Sequence, residues 1–250
     1  MRLHRIALFL ACIVPTCAQW VQYPTAGIPR TKDAKPNLSA PTPRSRDGKP
    51  DLSGIWTVND PKYLENLGSG GTAISMTPWA AKLYAERQEN NGRDRPSTRC
   101  LPHSVTDFDA LFTPKKFIQT PGLVILLFES YHSYRQIFTD GRPLPSKPDP
   151  AWFGYSIGKW EGDTLVVETT GLNEDTWLDD GGHPHSDALH ITERFRRRDF
   201  GHMDVQLTID DAKAYTRPWT VTIPWDYLPD TELLDWVCEN NKDLPHMVGK

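Results

Sequence analysis

The sequence predicts a mainly β protein, an antiparallel meander closing into a barrel with one helix inserted early. Three observations predict it. Beyond about Lys115, apolar residues recur with a period of two, the pattern of strands with one face buried. Short turn signals such as Asp140-Gly141, Glu161-Gly162 and Phe200-Gly201 separate these runs. Only one segment, near Thr77–Gly92, carries a full set of helix signals. The nine Trp, eight Tyr and nine Phe fit the same picture, because aromatic residues favour pleated, half-buried surfaces.

Residues 1–18 read as an export signal. Arg2 and Arg5 form a basic start, Ile6 to Val14 an apolar run, and Thr16-Cys17-Ala18 a small-residue cleavage site before Gln19. The apolar run is too short to span a bilayer, and no later segment suggests an integral membrane span in the mature chain. Residues 19–52 form a proline-rich linker or strap. Pro24, Pro29, Pro36, Pro41, Pro43 and Pro50 exclude a helix or a central strand there. A single barrel domain then occupies residues 53–250.

Within that domain the helix has Thr77 as its cap, Pro78 at its first position and Asn91-Gly92 as its stop. Trp79, Leu83, Ala80 and Tyr84 are its expected buried face. Strands follow at Leu123–Phe128, Tyr134–Phe138, Tyr155–Trp160, Thr164–Thr170, Leu189–Arg196, Met203–Ile209 and Trp219–Ile223, with Leu233–Cys238 closing the series. Such a meander forms a barrel or a sandwich. Sequential hairpins with a single polar face favour the barrel.

Charge narrows the partners. With 28 basic and 32 acidic residues the net charge is −4, and loss of Arg2 and Arg5 with the signal takes it to −6. Such a chain lacks the basic field that nucleic acids or anionic membranes require, so no nucleic-acid partner is expected. Cys12 and Cys17 leave with the signal, so Cys100 and Cys238 remain. Two cysteines in an exported chain predict a disulfide. No dinucleotide fingerprint, kinase motif or haem-attachment motif is present, and no cofactor is expected.

The densest chemistry lies in Gly182–Arg194. His183 and His185, two apart, share a side in extended chain, and His190 lies on the next strand. A metal site using His183, His185 and His190 is one alternative, although the spacing matches no compact zinc motif. Acid–base chemistry is the preferred reading, with His185, His190, Glu193, Arg194 and Asp187 as candidate catalytic residues. His190, Thr192 and Arg194 share one strand face, while Glu193 shares the other with Leu189, Ile191 and Phe195. If the apolar face is inside, Glu193 needs a buried partner, most simply an Arg. Candidate ligand-binding residues are Arg135, whose planar guanidinium suits an anion, with Tyr134, His132 and Trp177. Trp177 sits in an acidic, glycine-rich loop that reads as a lid. Asp175, Asp179 and Asp180 in that loop lack the spacing of a helical calcium loop. Arg196-Arg197-Arg198 reads as a solvated strand end.

Two resemblances add to this. Gly54-Ile55-Trp56 is similar to the glycine-x-tryptophan that opens the first strand of lipocalin-like, calycin-type barrels, and implies such a barrel. The segments GKPDLSGIW from Gly48, WEGDTLVV from Trp160, HSDALHITERF from His185 and YTRPWTV from Tyr215 together resemble a large group of exported bacterial β-rich proteins. That resemblance covers nearly all of the mature chain. It implies a periplasmic or secreted address and a shape, and it supplies no reaction. Three functions are therefore expected: a barrel that binds a small apolar or aromatic molecule with acid–base chemistry of the isomerase, hydratase or lyase type, a carrier without chemistry, or a periplasmic interaction module.

Overall fold

In the computed structural model, which describes residues 24–234 with Trp236 and Cys238, nine strands run in chain order around one closed barrel. They are β1 (Gly54–Thr57), β2 (Lys115–Thr120), β3 (Leu123–Phe128), β4 (Ser133–Phe138), β5 (Tyr155–Glu161), β6 (Thr164–Thr170), β7 (His190–Arg197), β8 (His202–Asp210) and β9 (Trp219–Tyr227). The expected export signal, residues 1–18, lies outside the described residues. Among those described, no helix is long and apolar enough to cross a membrane.

Alternation decides which side chains fill the barrel. On β7, Ile191, Glu193, Phe195 and Arg197 are buried, while His190, Thr192, Arg194 and Arg196 face outward. On β8, Met203, Val205, Leu207 and Ile209 point in, and on β9 Trp219, Val221, Ile223, Trp225 and Tyr227 do. Phe117, Phe195 and Trp225 pack edge-on against one another, and Trp56 packs edge-on against Tyr227. Each such side chain contributes roughly 1.5–3 kcal/mol when fully buried. The inward face is therefore the apolar one, and Glu193 lies within it.

Four sequence expectations change. The barrel is mixed, because β4 and β5 pair in parallel, through Ile137↔Ser156 and Phe138↔Ile157. Parallel neighbours need a crossover, so Asp140-Gly141 opens the long proline-bearing connection 139–154 instead of a tight hairpin. Closure comes from β9 pairing with β1 (Trp56↔Tyr227, Thr57↔Asp226). The described residues of 233–238 form no strand, and Leu234 and Trp236 are exposed. Finally there are two α-helices, α1 (Pro78–Glu89) and α2 (Val105–Ala110). Every residue of α2 is buried, so it carries no amphipathic period by which to recognise it.

Helix α1 starts and stops as its signals predict, with Thr77 Oγ1 accepting from the Ala80 N–H. Its inner stripe is Ala80, Tyr84 and Arg87. Tyr84 lies against His183 and Arg87 over Trp177. Trp79, expected to be buried, is 48 % exposed, because it sits about 100° round the helix from Ala80.

The segment before β1 lies on the barrel, with Ile28, Ala40 and Leu52 in the core. The Phe200 N–H donates to Ala40 O and the Gly201 N–H to Leu38 O. A Cβ at Gly201 would meet the Leu38 Cβ at 2.4 Å, so this approach needs glycine. Arg197, expected to be solvated, is buried against Trp56 and Phe200 and donates to the carbonyls of Asp51 and Phe200. Burial pushes its guanidinium down to about 10. A disulfide joins Cys100 to Cys238, as the cysteine count predicts.

Candidate functional site

The parallel seam opens a concavity. β4 and β5 pair only at Ile137↔Ser156 and Phe138↔Ile157, and upstream the two strands part. A groove of about 580 Å³ opens between them. Tyr134, Phe138, Trp152, Phe153 and Tyr155 line it together with His132, Gln136 and Pro102. Alternation on β4 sends Tyr134 and Gln136 to the groove side and Arg135 and Ile137 inward. Tyr134 is 59 % exposed. Phe138 stacks on Tyr155 with ring centroids 5.4 Å apart, and Phe153 stacks on Phe128 at 5.6 Å. Arg142 lies over Phe138 at 3.9 Å while paired with Asp140, so its charge is already matched.

Arg135 and Ser156, both buried, also line the groove and connect it to a polar belt inside the barrel. Arg135 makes two parallel hydrogen bonds to Glu193, one from Nη1 to Oε1 at 2.7 Å and one from Nη2 to Oε2. Its Nε donates to Ser156 Oγ at 3.1 Å and its Nη2 to Thr169 Oγ1 at 2.7 Å. The belt thus crosses four neighbouring strands, β4 to β7. Burial works against the Arg135 charge, but Glu193's charge and hydrogen bonds outweigh it and hold the guanidinium above its ordinary value. This is the partner that a buried Glu193 requires.

Two further ionisable groups reach the interior. Lys115 donates from Nζ to the carbonyls of Phe108 (2.7 Å) and Leu111 (2.8 Å) and sits 4.5 Å over the Trp225 ring. Burial pushes its ammonium down to about 7. Asp109 is buried at the end of α2. Burial, then the adjacent charge of Glu193 and a hydrogen bond to it, raise its carboxyl well above the usual range. Asp109 therefore keeps its proton in the folded chain where the unfolded chain has lost it. The folded state binds more protons above about pH 4, so this group lowers stability as pH rises from there. Asp109→Asn, which imitates the protonated acid, is expected to remove that decline. Urea unfolding at pH 5 and pH 8 checks it: the variant should gain on the parent chain at the higher pH, and an unchanged difference would refute the assignment.

The candidate catalytic residues do not converge. His190 and Arg194 lie on the outer face of β7, and Arg194 pairs with Glu161 at 3.0 Å. Asp187 is exposed and pairs with Lys213. Glu193 is enclosed in the barrel, away from these groups. His185 is buried, with Thr176 Oγ1 at 2.7 Å from Nε2 and Ser186 O at 3.1 Å from Nδ1, and burial lowers its pKa. This is the environment of a neutral structural imidazole. The alternative metal set fails likewise. His183 turns to Asp179 Oδ2 at 2.6 Å, His185 to Thr176 and His190 to the outer face.

Of the expected ligand-binding residues, Arg135, Tyr134 and His132 all line the groove, Arg135 from beneath. Trp177 does not. It is buried under Arg87, 4.1 Å from its guanidinium, and forms no lid over the groove. Sequence reasoning missed Trp152, Phe153 and Tyr155 as groove residues. The flanking proline run, Pro143 to Pro150, was the available signal, since it excludes a regular strand just where the seam opens. The buried Asp109 and Lys115 carried no signal, because residue type records a charge and not its solvation. Compared with protein-family models, curated proteins and solved structures, the chain matches none.

Proposed function

We propose that this protein is an exported barrel that carries a small, flat apolar or aromatic molecule in the groove between β4 and β5. The observation that carries the reading is the groove itself. At about 580 Å³ it falls within the size range of small-molecule pockets, and five aromatic side chains, Tyr134, Phe138, Trp152, Phe153 and Tyr155, line it. Aromatic side chains from β4 and from the 152–155 segment suit an apolar or aromatic ligand. Carriage without chemistry is favoured over acid–base catalysis, because His185, His190, Arg194 and Asp187 reach no shared cavity, and Arg135 and Glu193 satisfy each other. Export is supported by the Cys100–Cys238 bond, since disulfides persist in oxidising compartments. The resemblance to exported bacterial β-rich proteins agrees with it.

The test is titration with the fluorescent aromatic probe 1-anilinonaphthalene-8-sulfonate, followed by displacement with unlabelled aromatic compounds. Saturable binding at one site is expected, weakened at least tenfold (about 1.4 kcal/mol) by Trp152→Ala combined with Tyr134→Ala. Both side chains lie at the groove and outside the barrel core, so the fold should survive. Equal affinity in the parent and double variant would place binding elsewhere and end this reading.

A further inference from the structure

The geometry points to a divalent transition-metal site formed by His103, Asp107 and Asp180, outside the seam groove and independent of it. The three residues come from two separate parts of the chain. His103 precedes α2, Asp107 lies in its first turn, and Asp180 belongs to the acidic loop before β7. Their ligand atoms all lie within 4.8 Å of one another. His103 Nδ1 contacts Asp107 Oδ2 and lies 3.8 Å from Asp180 Oδ1. Two carboxylates thus face one imidazole nitrogen, and one ring proton serves only one of them well.

A second observation separates this cluster from an ordinary His–Asp pair. Asp107 is 3 % exposed, and its Oδ1 has no hydrogen-bond partner among the described residues. A buried, unpartnered carboxylate oxygen is costly unless something else meets it. Asp107 also lines a small void of about 10 Å³, together with His103, Asp180, Ser97 and Ser104. That is roughly the room of one water-sized body. Arg95 approaches Asp180 from its other oxygen, Oδ2, at 3.5 Å, and leaves Oδ1 turned toward His103.

The donor set selects the cation. One imidazole nitrogen with two carboxylates suits zinc, manganese or ferrous iron, whereas calcium and magnesium prefer all-oxygen sites. Three protein ligands leave a tetrahedral ion one further position. The acidic loop already attracted notice in the sequence through Asp175, Asp179 and Asp180. Folding divides that trio: Asp175 is exposed, Asp179 holds His183 and the Leu67 N–H, and Asp180 turns to His103.

The experiment uses the mature chain without a polyhistidine tag, stripped with chelator and titrated calorimetrically with zinc chloride. One equivalent should bind, and the thermal midpoint should rise with zinc, as for any ligand of the native state alone. Asp180→Asn and His103→Gln should each weaken binding at least tenfold. Asp180 is only half-buried, so its variant tests the site even if His103→Gln fails to fold. His202→Gln, at the surface His202–Asp199 pair, should bind zinc like the parent chain. Absence of stoichiometric binding, unchanged affinity in a folded Asp180→Asn, or loss of binding in His202→Gln would each overturn the site and leave a plain His–Asp ion pair. Failure of zinc binding leaves the aromatic groove untouched, because the two share none of the residues that hold the ligand.

Discussion

Arg135→Met is expected to destabilise the barrel by about 3–5 kcal/mol, because it leaves the Glu193 carboxylate buried without a cation. The exposures of the two side chains, 1 % and 0 %, remove any rescue by water. Glu193→Leu alone should cost a similar amount, for the mirror reason. The double variant Arg135→Met/Glu193→Leu is the informative one. Its side chains are close in size to those replaced, and Ser156 and Thr169 still hydrogen-bond each other at 2.9 Å. Loss of both charges removes both desolvation costs, so the double variant should recover most of the stability lost by either single change. Urea unfolding of all four chains measures the cycle. A double variant no more stable than the singles would show that the belt stabilises by packing and hydrogen bonding, with little part for charge pairing.

Removal of the disulfide is the second large effect. Cys100 and Cys238 are 138 residues apart, so the bond closes a loop spanning nearly the whole barrel. The chain-entropy model assigns about 5 kcal/mol to such a closure, and measured losses for native bonds run at about 2–5 kcal/mol. The paired change Cys100→Ser/Cys238→Ser should therefore lower the thermal midpoint by several degrees. Reductant should shift the parent chain toward the variant and leave the variant unmoved. If reductant leaves the parent's midpoint where it was, the bond does not constrain the unfolded chain as argued. The bond also ties the loop before His103 to the segment after β9, so zinc binding offers an independent readout of the same removal.

Much of the barrel was legible because hairpins are written locally. The β5–β6 turn at Glu161-Gly162 needs only a residue that accepts positive φ, and Gly162 has φ +59°. β7, β8 and β9 announce themselves by alternation, and α1 by its cap, its proline and its stop. The β4–β5 seam was not legible. Asp140-Gly141 is good turn chemistry, but turn chemistry does not say whether the next strand returns beside the last one or crosses over to run parallel with it. The groove therefore had to be found in the fold, although Tyr134, His132 and Arg135 had already been singled out by their residue types. Helix α2, buried on all sides, gives no period to read. His103 and Asp107 gave no signal for the same reason as Asp109 and Lys115: composition records a charge but not its solvation.

The histidine-rich run around residues 182–194 shows the division clearly. Residue order alone establishes that Glu193 shares a strand face with Leu189, Ile191 and Phe195, that His190 and Arg194 share the other, and that a buried Glu193 would need an arginine. A period of two guarantees this whichever way the strand turns. Only closure of the sheet chose the apolar face as the interior and Arg135 as the partner. That choice rests on burying the side chains of nine strands against one another at once, a sum over the whole barrel that no single strand contains. It turned the expected catalytic histidine outward and made a salt bridge of the acid beside it. The groove lined by Arg135, Tyr134 and His132 opened where neighbouring strands run parallel and soon part.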